Sequence, residues 1–259
     1  MYNPRQLICV RHGQSQLNAM HSAKRQDPEY RRFIKLFKED PDDPEVLILA
    51  KKIKEKYVHE TADHASPITL LGRLQAVRTG EELKELVKEV PSAVFVSSYL
   101  RARESFEAMK TGWPELENIK DIFYEDDLRE QDIGVATLYG DFEAFWALNP
   151  EQKKLREQEG DYFYKFPSGE NLADLRFRVR PFLEKIKQLY NDKNVLVISH
   201  AQTLLAIKAE IEKWDVNEYL KHRTNSDLIN CAVSIYEKVP SGQKQGKLKS
   251  VMYNRQLWQ

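Results

Sequence analysis

Leu7-Ile8-Cys9-Val10-Arg11-His12-Gly13 is the stretch that decides the fold. Four apolar residues, two of them β-branched, run into Arg, His and then Gly. That pattern predicts a buried strand feeding a turn. It sets a guanidinium, an imidazole and a flexible residue at the C-terminal end of a strand, where open α/β sheets bind their ligands. Arginine offers a permanently charged fork for an oxyanion, and histidine a nitrogen able to attack at neutral pH. Taken alone, the tripeptide is equally consistent with a surface Arg and a core-edge His at a turn.

Two further runs have the same polarity. Val195-Leu196-Val197-Ile198 ends in Ser199-His200-Ala201, and Ala93-Val94-Phe95-Val96 ends in Ser97-Ser98 with Arg101 and Arg103 just beyond. Shorter strand patterns follow at 122–124, 232–236 and 249–253. Helical patterns lie between the strands: Thr69 caps one to about Lys88, another runs through Ala108, Asn171 caps one to about Tyr190, and another spans Ala201–Lys213. Strands alternating with helices predict an α/β protein, three-layered α/β/α with a mainly parallel sheet. Right-handed crossovers then bring Arg11, His12, Arg101 and His200 to one sheet edge.

Residues 21–66 read as a charged insertion punctuated by Pro28, Pro41 and Pro44, with helices around Glu29–Lys38 and Glu45–Tyr57; they are expected to form a helical lid. The helix after Thr69 is expected to pack through Leu70, Leu71, Leu74, Val77, Leu83, Leu86 and Val87. Asp127–Gly140 reads as a polar loop and Asp141–Gln158 as one helix. Tyr162, Phe163, Tyr164 and Phe166 either line a pocket or pack the lid. The whole is expected to be a single domain over 1–259, with the 21–66 insertion and a second cap segment at 135–168.

Lys plus Arg and Asp plus Glu number 40 each, so the formal charge is zero, which argues against nucleic acid as a dedicated partner. No apolar run approaches the ~20 residues of a membrane span, and Met1-Tyr2-Asn3-Pro4-Arg5-Gln6 lacks a signal peptide's apolar region. No membrane partner is therefore expected, and cytoplasmic residence is the default expectation. Cys9 and Cys231 lie in strand-like runs and read as buried small hydrophobes. Nothing in the chain sets the oligomeric state.

Two Arg and two His around one point suit a phosphate monoester. No Gly-x-x-x-x-Gly-Lys-Ser/Thr loop occurs, and no clustered carboxylates beside strand ends suggest a Mg²⁺ site. No metal or cofactor is therefore expected, and side chains must neutralise the phosphate. An attacking imidazole must be neutral at the reacting nitrogen, with a backbone carbonyl on its other nitrogen setting the tautomer. A leaving alkoxide needs a proton from a nearby carboxylic acid, whose pKa burial must raise against the pull of the arginines.

The chain resembles the histidine phosphatase superfamily, also called the phosphoglycerate mutase-like family, over nearly its whole length. The opening motif is Arg11-His12-Gly13-Gln14-Ser15-x-x-Asn18, followed by Ile68-Thr69-x-x-Gly72-x-x-Gln75-Ala76. Ser97-Ser98-Tyr99-Leu100-Arg101-Ala102-x-Glu104-Ser105 is similar to the second-arginine motif, Leu128-Arg129-Glu130-Gln131-Asp132-Ile133-Gly134 to the acid-bearing segment, and Ser199-His200 to the second-histidine motif. The resemblance implies that His12 becomes a phosphohistidine and that Arg11, Arg101 and His200 hold the phosphoryl oxygens. Gly13, Ser15, Asn18 and the N–H of Ala201 would complete the substrate-binding set. Glu130 would protonate the leaving oxygen and then deprotonate water; Glu125, Asp126, Asp127 and Asp132 are its neighbouring rivals. Arg103 reads as a helix-surface residue, Glu170 as structural, and His21, His59, His64 and His222 as surface or insertion residues. The chain departs from the pattern at Ala201, where Gly is common, at Asn171, where Ser is common, and at Gln14, where Glu is frequent.

The resemblance implies a metal-independent phosphatase acting on a small-molecule phosphate monoester. The stretch 160–170 resembles a subgroup described as phosphoglycerate mutase-like whose mutase activity is doubtful, and the long insertion departs from the short substrate loop of true mutases, so hydrolysis is favoured. A phosphoglycerate mutase-type isomerase is the alternative, and a catalytically weak binding or regulatory module the second.

Overall fold

The apolar runs pair as strands of one sheet. The computed structural model describes residues 3–58, 61–225, 228–239 and 246–259. The strands are β1 (Gln6–Arg11), β2 (Ala93–Ser97), β3 (Asp121–Glu125), β4 (Asn194–Ser199), β5 (Val233–Lys238) and β6 (Leu248–Arg255). The helices are α1 (Gln16–Gln26), α2 (Pro28–Glu39), α3 (Pro44–Tyr57), α4 (Leu70–Val87), α5 (Leu100–Gly112), α6 (Phe142–Leu148), α7 (Pro150–Glu159), α8 (Leu172–Leu189), α9 (Ala201–Glu212) and α10 (Val216–Asn225).

The sheet order is β3-β2-β4-β1-β5-β6. β3, β2, β4 and β1 run parallel, whereas β5 is antiparallel to β1 and β6 to β5. The sheet is thus mixed, with a parallel core as expected. Continuous apolar runs suit strands covered on both faces, and β2 and β4 are buried throughout. Ile8, Val10, Val94, Val96, Leu196 and Ile198 pack with Leu83 and Val87 of α4 and with Ala102, Phe106 and Met109 of α5. Phe95, of opposite alternation, meets Phe182 of α8 edge-on at 5.3 Å.

The chain forms two compact units. One comprises the segments up to Ser15, His64–Glu130 and from Leu175 onward; the other comprises Gln16–Asp63 and Gln131–Asp174. The second differs in its bounds from the expected 21–66 and 135–168. It is helical. Asp27 and Asp43 cap α2 and α3, accepting from the N–H groups of Glu29 at 2.9 Å and Glu45 at 2.7 Å, with Pro28 and Pro44 just inside each helix. Phe33, Leu49, Ile53, Ala144 and Ala147 form one core cluster. Trp146, Tyr164 and Phe166 belong to another, so these aromatics pack the unit, while Phe163 is exposed. Lys24 Nζ meets Asp141 at 2.7 Å, with both side chains 4% exposed, and Tyr30 donates to the same carboxylate at 2.9 Å.

Three local expectations need correction. Leu70, Leu71, Leu74 and Leu86 of α4 are exposed; the buried face is Gly72, Gln75, Ala76, Thr79, Gly80, Leu83 and Val87. Small residues there allow close approach: a Cβ on Gly80 would lie 2.4 Å from the Met109 carbonyl oxygen. The segment 141–158 is two helices, because Pro150 lacks the N–H that a helix interior needs and restricts Asn149 before it. Cys231 precedes β5 in a turn with φ 55° and is not part of the strand. Both thiols are buried, and burial pushes each up to about 12. Among the described residues no helix is long and apolar enough to cross a membrane.

Candidate functional site

The strand register builds the site. β1 pairs with β4 so that Arg11 lies opposite Ser199, and β4 pairs with β2 so that Ile198 lies opposite Val96. The residues after each strand therefore emerge side by side: His12, whose N–H donates to Ser199 O at 3.0 Å; His200; and the Ser97–Arg101 segment. The His12 and His200 rings lie 5.0 Å apart, and Arg101 Nε donates to His200 Nδ1 at 3.2 Å. His12, His200 and Arg101 are all at most 4% exposed.

His12 Nδ1 faces its neighbour's carbonyl, Gly13 O, at 2.7 Å. A carbonyl only accepts, so Nδ1 carries the proton and Nε2 keeps its lone pair. Burial first, then the charges of Arg101 and Arg11, hold this imidazole well below the ordinary histidine range, against a smaller opposing pull from the Gly13 bond. It is neutral at pH 7. His200 is depressed likewise, by burial and then by Arg101, His12, Arg11 and Arg178. Because Arg101 donates to its Nδ1, its proton sits on Nε2, which meets Ser97 Oγ at 2.7 Å. The fixed positive charge of the cluster is therefore that of the two arginines. Arg11 also donates to Leu228 O.

Glu130 stands at the start of α9. Its carboxylate accepts from the N–H of Gln202 at 3.1 Å and of Thr203 at 3.3 Å, in the turn that His200 and Ala201 open. The first N–H groups of a helix lack partners within it and find an acceptor in this side chain. Arg178 braces the approach from Asp127 to Glu130, donating to the carbonyls of Asp127 at 2.7 Å and Arg129 at 3.2 Å. The rivals lie elsewhere: Glu125 pairs with Lys185, Arg178 binds the Asp126 and Asp127 segment through backbone carbonyls, and Asp132 is in the helical unit, accepting from Gly134 N at 2.8 Å.

The remaining candidates divide between the units. Gly13 and the buried Ser15 belong to the sheet unit, where Ser15 bridges to Ile68. Asn18 lies on α1, in the helical unit. The Ile68–Ala76 motif is a docking device. Thr69 caps α4 by accepting from Gly72 N at 3.0 Å, and its own N–H donates to Gln14 O at 2.8 Å. A Cβ on Gly13 would lie 2.4 Å from Gly72 O, and one on Gly72 only 2.2 Å from Gln14 O, so only glycines let α4 press on the 13–14 loop. Arg103 is an exposed helix residue over Tyr124, and Glu170 N donates to Asp132 O at 2.7 Å within the helical unit. His222 stacks on Trp214 at 3.9 Å, His64 lies 6.3 Å from the Tyr99 ring, and His21 sits half-buried on α1, while His59 lies outside the described residues.

Sequence reasoning missed four participants: Ser97 on His200, Tyr99 edge-on to His200 at 5.1 Å, Ser105 on Gly13 N at 2.9 Å, and Asn230, whose Nδ2 donates to His12 O at 3.1 Å. Ser97, Tyr99 and Ser105 lie inside the quoted motif; Asn230 carries no local signal. Among the described residues no group of three or more His, Cys, Asp or Glu is placed to hold a metal ion.

A phosphoglycerate mutase-like protein of Arabidopsis thaliana is 28% identical over 202 residues, 71% of this chain and 68% of its own. A putative alpha-ribazole-5'-P phosphatase from Escherichia coli superposes with a TM-score of 0.65 at 15% identity, over 97% of this chain and 98% of its own. A mycobacterial glucosyl-3-phosphoglycerate phosphatase superposes with a TM-score of 0.62 at 16% identity, over 96% and 98%. The histidine phosphatase superfamily (branch 1) matches residues 56–249. With three quarters of its length inside that match, and with the superfamily's sheet, the chain belongs to the histidine phosphatase superfamily.

Proposed function

We propose that the protein is a phosphatase that hydrolyses phosphate monoesters through a phosphohistidine on His12, without a metal. One observation supports this most: a buried imidazole, neutral and with its free Nε2 fixed by the Gly13 carbonyl, lies beside two arginines and a second histidine. Two relatives in fold bear names of phosphatases, and the resemblance to mutases is in name to a mutase-like protein.

Nε2 of His12 attacks phosphorus, and the ester P–O bond breaks. Arg11 and Arg101 stabilise the charge on the phosphoryl oxygens, which is the main demand of phosphoryl transfer. The leaving oxygen takes a proton from the carboxylic acid of Glu130. Water then gives a proton back to Glu130 as its oxygen attacks phosphorus. The P–N bond breaks, releasing inorganic phosphate and neutral His12. For His200 to hold a phosphoryl oxygen through Nδ1, the bond from Arg101 must be exchanged for a proton on that nitrogen. The Gln202 and Thr203 N–H groups orient Glu130 at the start of α9.

The test is release of phosphate from an aryl phosphate in EDTA by the intact chain and by His12→Ala. Turnover that disappears in a folded His12→Ala supports the reading; full turnover in that variant overturns it. Incubation with 3-phosphoglycerate and a bisphosphate primer separates the alternative, since fast isomerisation without phosphate release assigns a mutase.

A further inference from the structure

The His12–Gly13 peptide is held from both sides. Its carbonyl, His12 O, accepts from Asn230 Nδ2 at 3.1 Å and shares the Cys231 N–H, at 3.2 Å, with Arg11 O at 3.1 Å. Its N–H, on Gly13, donates to the hydroxyl of Ser105 at 2.9 Å, and that hydroxyl donates to Arg101 O at 2.6 Å. Asn230 is fixed in turn: the indole N–H of Trp258 donates to Asn230 O at 2.8 Å, and the next residue back, Ile229, donates its N–H to Asn254 Oδ1 at 2.9 Å. Cys231 adopts φ 55°, a conformation costly for a side chain with a Cβ, held there while Thr79 donates to its carbonyl at 3.3 Å.

We propose that Asn230, anchored by Trp258, and Ser105 are positioning residues that clamp the His12–Gly13 peptide and so aim the His12 imidazole. This rests on the reading of His12 as the nucleophile. The ring hangs from the Cα on one side of this peptide, and the carbonyl that receives Nδ1–H, Gly13 O, follows the Cα on the other. Rotation of the peptide plane would move ring and acceptor relative to one another, freeing the tautomer and swinging Nε2. Opposed donor and acceptor bonds prevent that rotation. Ser105 adds a second consequence: one hydroxyl joins the nucleophile's peptide to the first turn of α5 at Arg101, so nucleophile and phosphate-binding guanidinium keep a fixed separation. The anchor comes from the C-terminal end of the chain, where Trp258 packs with Ala76, Ala108 and Cys231.

The experiment compares the intact chain with Asn230→Ala, Ser105→Ala, Ser105→Thr and Trp258→Phe. Single-turnover phosphorylation by an aryl phosphate is expected to slow about 10- to 100-fold in Asn230→Ala and Ser105→Ala, the scale of misplacement by around an ångström. The dissociation constant for inorganic phosphate should move less than about threefold, because the arginines remain. Ser105→Thr, which keeps the hydroxyl, should restore most of the rate. Trp258→Phe keeps an aromatic ring but loses the N–H and part of the indole; a several-fold slowing is expected, and this variant serves if Asn230→Ala does not fold. The ¹⁵N spectrum of the His12 ring supplies a readout independent of turnover: a single Nδ1–H tautomer in the intact chain, and a tautomer mixture in the alanine variants. Wild-type phosphorylation rates with an unchanged tautomer would overturn the clamp. Loss of the tautomer in a chain that hydrolyses nothing would sustain the clamp and sink the phosphatase reading instead.

Discussion

Acidification should destabilise this protein through its two central histidines. Both are buried and held well below the ordinary histidine range, by burial first and by Arg101 next. The unfolded chain takes up protons near pH 6.5 while the folded one does not, so stability is fully present above that value and is lost as pH falls below it. Each such histidine costs about 1.4 kcal/mol per pH unit there, so one unit below the unfolded value the pair accounts for about 3 kcal/mol. Asp27, at about 2, contributes only at lower pH. Glu143, which burial and then the Asp141 charge hold above the ordinary carboxyl range, acts in the opposite sense and gains stability as pH falls. The comparison is therefore a difference. Urea unfolding at pH 7.5, 6.5 and 5.5 is measured for the intact chain and for His12→Gln, and between pH 6.5 and 5.5 the variant should lose about 1 kcal/mol less than the intact chain. Identical slopes would refute a neutral, buried His12.

Three further outcomes follow from single contacts. Gly72→Ala places a Cβ 2.2 Å from Gln14 O, a backbone atom that cannot swing aside; it should cost about 1–3 kcal/mol in urea unfolding and lower turnover with it. Lys24→Met leaves the Asp141 carboxylate buried without its cation and should cost about 3–5 kcal/mol, read as a lower melting temperature; an unchanged melting temperature contradicts the buried pair. Glu130→Gln should slow single-turnover phosphorylation by an alkyl phosphate about 10²- to 10⁴-fold and by nitrophenyl phosphate far less, since a good leaving group needs no proton; equal losses in that first step argue against a proton donor.

The sheet was legible because its central strands are apolar on both faces and end in polar residues; Val10 and Ile198 hand over to His12 and His200 within two residues, and Val96 reaches Arg101 five residues on, in the first turn of α5. The position of Glu130 was legible only through its motif, since five acidic residues crowd 125–132. Hydrophobic periodicity misjudged α4, where close approach through Gly72, Ala76 and Gly80 outweighs burial of Leu70, Leu71 and Leu74. It also ran α6 and α7 together across Asn149-Pro150, a break the proline itself announces. Asn230 was illegible: its role depends on a bond to a residue far off in the chain, and an isolated Asn before a strand otherwise reads as a turn residue.

The central claim is tested most directly by quenching the working protein in denaturant during turnover of an aryl phosphate and mapping the trapped phosphoryl group by mass spectrometry. An acid-labile, base-stable phosphoryl group on the His12 peptide, absent from His12→Asn, is the expected result. Undiminished turnover with no label on His12, or a label carried by another residue, would contradict it.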